Sequence, residues 1–397
     1  MKTDVAMEEH PQAAEPMTGS RAILYGAFAG MGFCTALLGA ALPALRPYWS
    51  LTDRTSGVLF LMFFLGSSSG PLMTRGDMVY SIARGAALIA GSGAVLGWVQ
   101  GAALFPVFYL FGLGVGITTT SITVLRSAKS GESRLRELNL LNVIWPVGAL
   151  VCPTVANAAI RSFGVWPLFT GIAAFLGVVA LWMLQSGRHP ALPSEKKSTE
   201  GEIHRKSRLP WMMAALAFLA VGLESATGAW IASYSHQLQQ GTGAIVEAAT
   251  LFWLGLLASR LFHATPWMER FTELEQLRNG ALLTTIGALL LVGLPLQGVL
   301  LLAAFLMGFG AGPIYPTVLS LVLPRVSGTL IFLLAGLGGA SLPWLVGMIS
   351  AQAGTLRVGM LVPACAACVV FGLTTHAARI LGQLDALKTA DTSADLL

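Results

Sequence analysis

The chain has 397 residues, of which 55% are hydrophobic and only 11% charged, against about 25% charged in an ordinary soluble domain. With 45 glycines and a mean hydropathy of +0.71, it has too little polar surface for a water-soluble globule of this size. A large soluble enzyme, a disordered chain and a collagen-like chain are excluded. The net charge of +5 is too small and too dispersed to point to nucleic acid.

Residues 1–20 carry Asp4, Glu8, Glu9, Glu15 and two prolines. A secretory signal needs a basic start followed at once by an apolar core. This order and sign are wrong for one, so the segment reads as a retained cytosolic tail.

A bilayer core of roughly 30 Å takes about 20 apolar residues as a helix. Such runs fall near 22–44, 55–74, 82–99, 102–125, 138–160 and 165–186, then 210–235, 244–264, 277–294, 298–323, 327–352 and 356–380. Short turns between them make neighbouring helices antiparallel. The one long polar break, 187–209, holds Glu195, Lys196, Lys197, Arg205 and Lys206 among other charges. The predicted fold is therefore an all-α membrane protein of twelve transmembrane helices in two six-helix bundles. The bundles cover 21–187 and 210–380, with a linker at 188–209 and a cytoplasmic tail at 381–397.

Basic residues test the orientation. With both termini in the cytoplasm of a cell (inner) membrane, only Arg46, Arg54, Arg161 and Arg357 lie outside, and the other 20 of 24 lie inside. That split fits the positive-inside rule only for twelve spans or the same parity. The halves also echo each other, which makes the bundles pseudo-symmetric. Gly112, Gly114 and Gly116 in the fourth span match Gly308, Gly310 and Gly312 in the tenth. Alternate glycines make no single stripe; they let neighbours approach on several sides, as expected of a duplicated transporter.

Several local motifs add to this pattern. Gly164-Val-Trp166-Pro-Leu-Phe169 opens the sixth span, and Gly308-Phe-Gly310-Ala-Gly312-Pro313-Ile-Tyr-Pro316 lies in the tenth. Gly336-Leu-Gly338-Gly339-Ala-Ser-Leu-Pro343 lies in the eleventh, and Val221-Gly222-Leu-Glu224-Ser-Ala-Thr-Gly228-Ala-Trp230 in the seventh. Phe252-Trp253-Leu-Gly255 and Ser259-Arg260-Leu261 lie in the eighth. Together they make the chain resemble the major facilitator superfamily, in particular its fucose–galactose–glucose symporter branch and sodium-dependent glucose transporter relatives. The resemblance implies sugar transport by alternating access.

Two departures qualify it. The family loop after span two reads Gly-x-Leu-x-Asp-Arg-x-Gly-Arg; here Gly70, Leu72 and Arg75 remain, but Thr74 replaces the acid. Asp77 is the candidate replacement in that latch. The fucose–proton pattern also has acids in spans one and four. Span one has none here, and Ile117 stands at the span-four position, so that proton mechanism does not carry over.

Charge inside a membrane costs about 2.5–3.5 kcal/mol even on insertion scales, so each instance needs a reason. Glu224 is the acid well inside a predicted span, in the seventh. Such a carboxyl group suits a proton-coupling site, or a sodium site if Ser225, Thr227 and freed carbonyls add oxygens. The bland reading is a structural glutamate bonded to another helix.

Sugar recognition needs hydrogen-bonding side chains and flat rings. Asn139, Asn142 and Trp145 recur every third residue in span five, which predicts one shared face. Thr118, Trp230, Tyr234 and Trp253 complete the expected substrate-binding set. Asparagines that glue helices together are the alternative. Arg75, Asp77 and Arg260, with the helix-bending prolines Pro146 and Pro316, are the expected gating residues.

The leading expectation is a secondary active transporter of a small neutral solute, a monosaccharide above all, that works as a monomer with no cofactor beyond a coupling proton or sodium. The alternative is a proton-driven exporter of drugs or other amphipathic compounds, favoured by the aromatics and by Gly148 to Pro153. That rival predicts a mainly apolar cavity with Asn139 and Asn142 turned to other helices. An enzyme is not expected, because the six histidines are scattered and no phosphate-binding glycine loop occurs. Cys34, Cys152, Cys365 and Cys368 all sit in apolar runs and read as packing residues.

Overall fold

The computed structural model describes residues 18–74, 76–127, 132–186, 209–239, 245–294, 296–322 and 328–394. Residues 1–17 of the N-terminal tail, 188–208 of the central linker and Arg75 lie outside the described residues. The first half consists of α1 (Thr18–Trp49), α2 (Asp53–Met73), α3 (Met78–Leu96), α4 (Leu104–Ser127), α5 (Glu132–Phe163) and α6 (Val165–Gln185). The second consists of α7 (Leu209–Gln239), α8 (Ile245–His263), α9 (Glu273–Gly293), α10 (Gln297–Ala311), α11 (Ile314–Val322), α12 (Gly328–Ala353), α13 (Leu356–Gly359) and α14 (Leu361–Ala394). Among the described residues, ten helical segments are long and apolar enough to cross a membrane; α8 and α9 complete the twelve spans, one short and the other opening on charges.

Local chemistry sets the boundaries. Thr52 caps α2 with a reciprocal bond to Thr55, and Thr272 with Glu275 does the same for α9. Gly164 turns the chain into α6 at φ +90°, a conformation that favours glycine. The tenth span differs from a single kinked helix: it is α10 and α11, broken at Gly312-Pro313. Pro313 has no N–H to continue the α10 ladder, and its carbonyl accepts from Thr317 N at 3.0 Å to start the next helix.

The glycine echo has a structural meaning. A Cβ on Gly112 would collide with the Phe63 carbonyl of α2, and one on Gly308 with the Phe252 carbonyl of α8. Gly114 meets the Gly85 carbonyl of α3 as Gly310 meets the Gly280 carbonyl of α9. Gly116 abuts Ser67 of α2, and Gly312 abuts Ser259 of α8. Each glycine thus seats span four on spans two and three, and its counterpart seats span ten on spans eight and nine. The two halves are built on one packing scheme.

The halves meet along α1–α7, α2–α12 and α5–α8. Under the repeat, the second and third of these contacts exchange. Outward-facing Val178, Leu181 and Leu184 of α6, 56–66% exposed, form an apolar surface suited to lipid.

Candidate functional site

A cavity of about 350 Å³ lies between the halves, within the size range of small-molecule sites. α1 and α2 contribute Thr35, Phe60, Phe64, Ser67 and Ser68, α4 contributes Thr119 and Thr120, and α5 contributes Trp145. The second half brings Glu224, Ser225, Gly228, Trp253 and Tyr315. Glu224 is the carboxylate in this lining, half-buried in the middle of α7. Trp145 and Trp253 meet edge to face across the two halves, with centroids 5.8 Å apart.

Arg260, seven residues after Trp253 on α8, sits beside the cavity ring Trp145. Its guanidinium carbon lies 5.9 Å from the Trp145 ring centre, and Nη1 donates to the Asn142 carbonyl at 3.0 Å. It also interacts electrostatically with Glu224, so the acid has a counter-charge on the next helix. The Thr35 hydroxyl donates to the Met31 carbonyl at 2.8 Å and keeps acceptor capacity for a ligand.

The cavity runs from Phe60 towards Pro71, on the side of the molecule where α1 begins. The other side is sealed. Phe60 packs on Trp230 with centroids 5.5 Å apart, and the Trp230 indole donates to the Pro343 carbonyl at 2.8 Å. Further out, Ser350 of α12 donates to Asp53 of α2.

The structure brings Trp145, Glu224 and Trp253 to the cavity and puts other expected site residues elsewhere. Trp230 is wholly buried in the seal, and the Tyr234 hydroxyl donates to the Leu291 carbonyl at 3.1 Å. Thr118 is wholly buried against Gly85 of α3, and its neighbours Thr119 and Thr120 line the cavity instead. Asn139 and Asn142 are exposed and outside the lining. The expectation of one face was too loose: each step of three residues turns a helix by about 300°, so two steps leave Asn139 about 120° from Trp145. Asn142 contributes its backbone carbonyl, not its amide.

Among the expected gating residues, Asp77 caps α3, accepting from Val79 N at 2.8 Å. Thr74 closes on its own helix, donating to the Gly70 carbonyl at 3.0 Å. Pro146 is buried within α5, and Pro316 is exposed in the first turn of α11.

Sequence reasoning missed Thr35, Ser67, Ser68 and Tyr315, which carry no charge and sit in apolar runs like many packing residues. It also missed a second buried acid. Glu137 of α5 pairs with Arg126 of α4 at 2.5 and 3.0 Å, and the Tyr25 hydroxyl of α1 donates to Glu137 at 2.6 Å. The signal was there, since Arg126 and Glu137 flank one short loop, but α5 starts earlier than its apolar run.

The geometry matches known proteins in fold. Bypass of stop codon protein 6 of Saccharomyces cerevisiae is 23% identical over 387 residues, spanning 84% of this chain and 77% of the yeast protein. A bacterial homologue of the human lysosomal transporter Spinster, inward-facing and unoccupied, superposes with a TM-score of 0.70 at 15% identity, over 93% of this chain and 98% of that one. The transporter FucP in its outward conformation gives 0.58 at 21% identity, over 89% and 98%. The sequence profile of the Major Facilitator Superfamily matches residues 24–327. A two-fold helical repeat, a cavity between its halves and a family match over most of the length converge: the chain belongs to the Major Facilitator Superfamily of membrane transporters.

Proposed function

We propose that this transporter moves a small neutral polyhydroxylated solute, a monosaccharide above all, by alternating access, and couples it to a proton or sodium gradient through Glu224. One observation carries the proposal: Glu224 stands in a cavity between the halves, with hydroxyls around it and a counter-charge on the next helix. Thr35, Ser67, Ser68, Thr119, Thr120 and Ser225 offer the two-way hydrogen bonding that sugar hydroxyls need. Trp145, Trp253 and Phe64 offer flat faces for C–H packing. The 20-to-4 split of basic residues supports a cell membrane location with both termini in the cytoplasm. In that orientation the cavity faces inward, and a monomer suffices.

Proteoliposome uptake of radiolabelled hexoses under imposed proton or sodium gradients tests this. Glu224→Gln is expected to retain sugar exchange at equal concentrations and to lose accumulation against a gradient. Undiminished accumulation by that variant overturns the coupling role.

Asn139 and Asn142 lie outside the lining, and five aromatic residues lie within it. This favours a second reading, export of amphipathic compounds. Resistance profiling and ethidium efflux in cells with and without the protein separate the two.

A further inference from the structure

Asp53 opens α2 on the sealed side, remote from the start of α1. Its Oδ2 accepts from Ser350 Oγ of α12 at 2.5 Å, and Ser350 is wholly buried. Arg46 of α1 places Nη2 2.8 Å from Oδ1 as an ion pair that is not an aligned hydrogen bond. Arg46 and Asp53 belong to the first half and Ser350 to the second, so the Asp53–Ser350 bond is a polar link between the halves on this side, as the Arg260–Asn142 bond is near the cavity. Gly347 lets the α12 backbone rest on the Asp53 carbonyl and on Gly57, and the Phe60–Trp230 contact follows one layer deeper.

We propose that Asp53 is the gate residue of this face: its bond to Ser350 holds the two halves together, and its rupture is a required step in presenting the cavity to that side. The inference rests on the alternating-access part of the functional reading and not on the solute. The latch is reversible because both ends have a local partner. A released Ser350 hydroxyl can turn to the carbonyl four residues back, as helical serines do. A released Asp53 keeps Arg46 as its counter-charge. Opening therefore strands no buried polar group, and the element has two satisfied arrangements.

The test uses the full chain in lipid nanodiscs, with Cys365 and Cys368 replaced by alanine. Spin labels at Ser50→Cys and Gln352→Cys, on exposed positions of the two halves beside the latch, report their separation by pulsed electron resonance without any substrate. A hydrogen bond to a charged group sets the scale: Asp53→Asn and Ser350→Ala are expected to raise the ratio of long to short distances roughly ten- to hundred-fold. Asp53→Glu, which keeps the carboxylate, is expected to stay nearer the parent. Ser350→Ala removes one oxygen and keeps the measurement available if Asp53→Asn fails to fold. An unchanged distance distribution in Ser350→Ala overturns the proposal. Because no solute enters the measurement, that failure is distinct from a failure of sugar uptake.

Discussion

Arg260 of α8 sits over the ring of Trp145 of α5, with 5.9 Å from guanidinium carbon to ring centre. The same guanidinium donates to the Asn142 carbonyl one turn earlier on α5 and feels the charge of Glu224 on α7. One side chain thus bridges the two halves, stacks on a cavity ring and balances the cavity acid. Arginine can do all three because its charge is spread over a planar fork.

Lysine at this position keeps the charge but is a point donor on a flexible stem. Arg260→Lys is therefore expected to lower initial uptake rates several-fold, and Arg260→Ala by more than about tenfold, since a desolvated cation–π contact and a charged hydrogen bond are each worth roughly 2 kcal/mol. Rates in proteoliposomes check this. Equal rates for Arg260→Lys and the parent would show that charge alone matters.

Glu224 and Arg260 are expected to act as a pair in stability as well. Removing either charge leaves the other uncompensated in a low-dielectric site. The double variant Glu224→Gln, Arg260→Gln is expected to be more stable than the sum of the two single changes predicts, by about 0.5–3 kcal/mol. Unfolding of all four proteins in one detergent closes the cycle, and simple additivity would refute the pairing.

The Arg126–Glu137 pair makes a sharper stability prediction. Both side chains are largely buried, at 4% and 12% exposed. Glu137→Gln leaves Arg126 charged without its counter-ion and is expected to cost roughly 3–5 kcal/mol. Replacing both together, Arg126→Met with Glu137→Leu, is expected to cost less than that single change. Thermal unfolding distinguishes the order.

Glycines divide into two groups by what surrounds them. A Cβ on Gly148 would run into the Ala29 carbonyl, and one on Gly116 into the Ser67 carbonyl, both rigid backbone. Gly148→Ala and Gly116→Ala are each expected to destabilise by about 1–3 kcal/mol through forced helix separation. Gly171 has open space around it, and Gly171→Ala is expected to be neutral or slightly stabilising. Melting temperatures of the three variants rank them, and equal values would mean the close crossings do not constrain the bundle.

The sequence alone carried the fold a long way, for a physical reason. In lipid, every backbone polar group must be satisfied within a helix, so apolar runs translate almost directly into spans. The repeat was visible in Gly112, Gly114 and Gly116 and their counterparts because only glycine permits such close crossings. Glu224 stood out because an acid deep in an apolar span is costly. The hydroxyls of Thr35 and Ser67 did not stand out, since serine and threonine can bond to their own helix and sit anywhere in a span.

Composition and charge thus determined that the chain crosses a membrane, how its spans are grouped and which acid is unusual, since these follow from the solvent. The tertiary structure decided which faces meet. Helical phase near Pro146 sent Trp145 into the cavity and Asn139 away from it, and packing on Gly85 took Thr118 and left Thr119 and Thr120. It also joined Asp53 to Ser350, 297 positions apart in the chain. Such contacts depend on the relative rotation and register of whole helices, which local sequence does not encode one residue at a time.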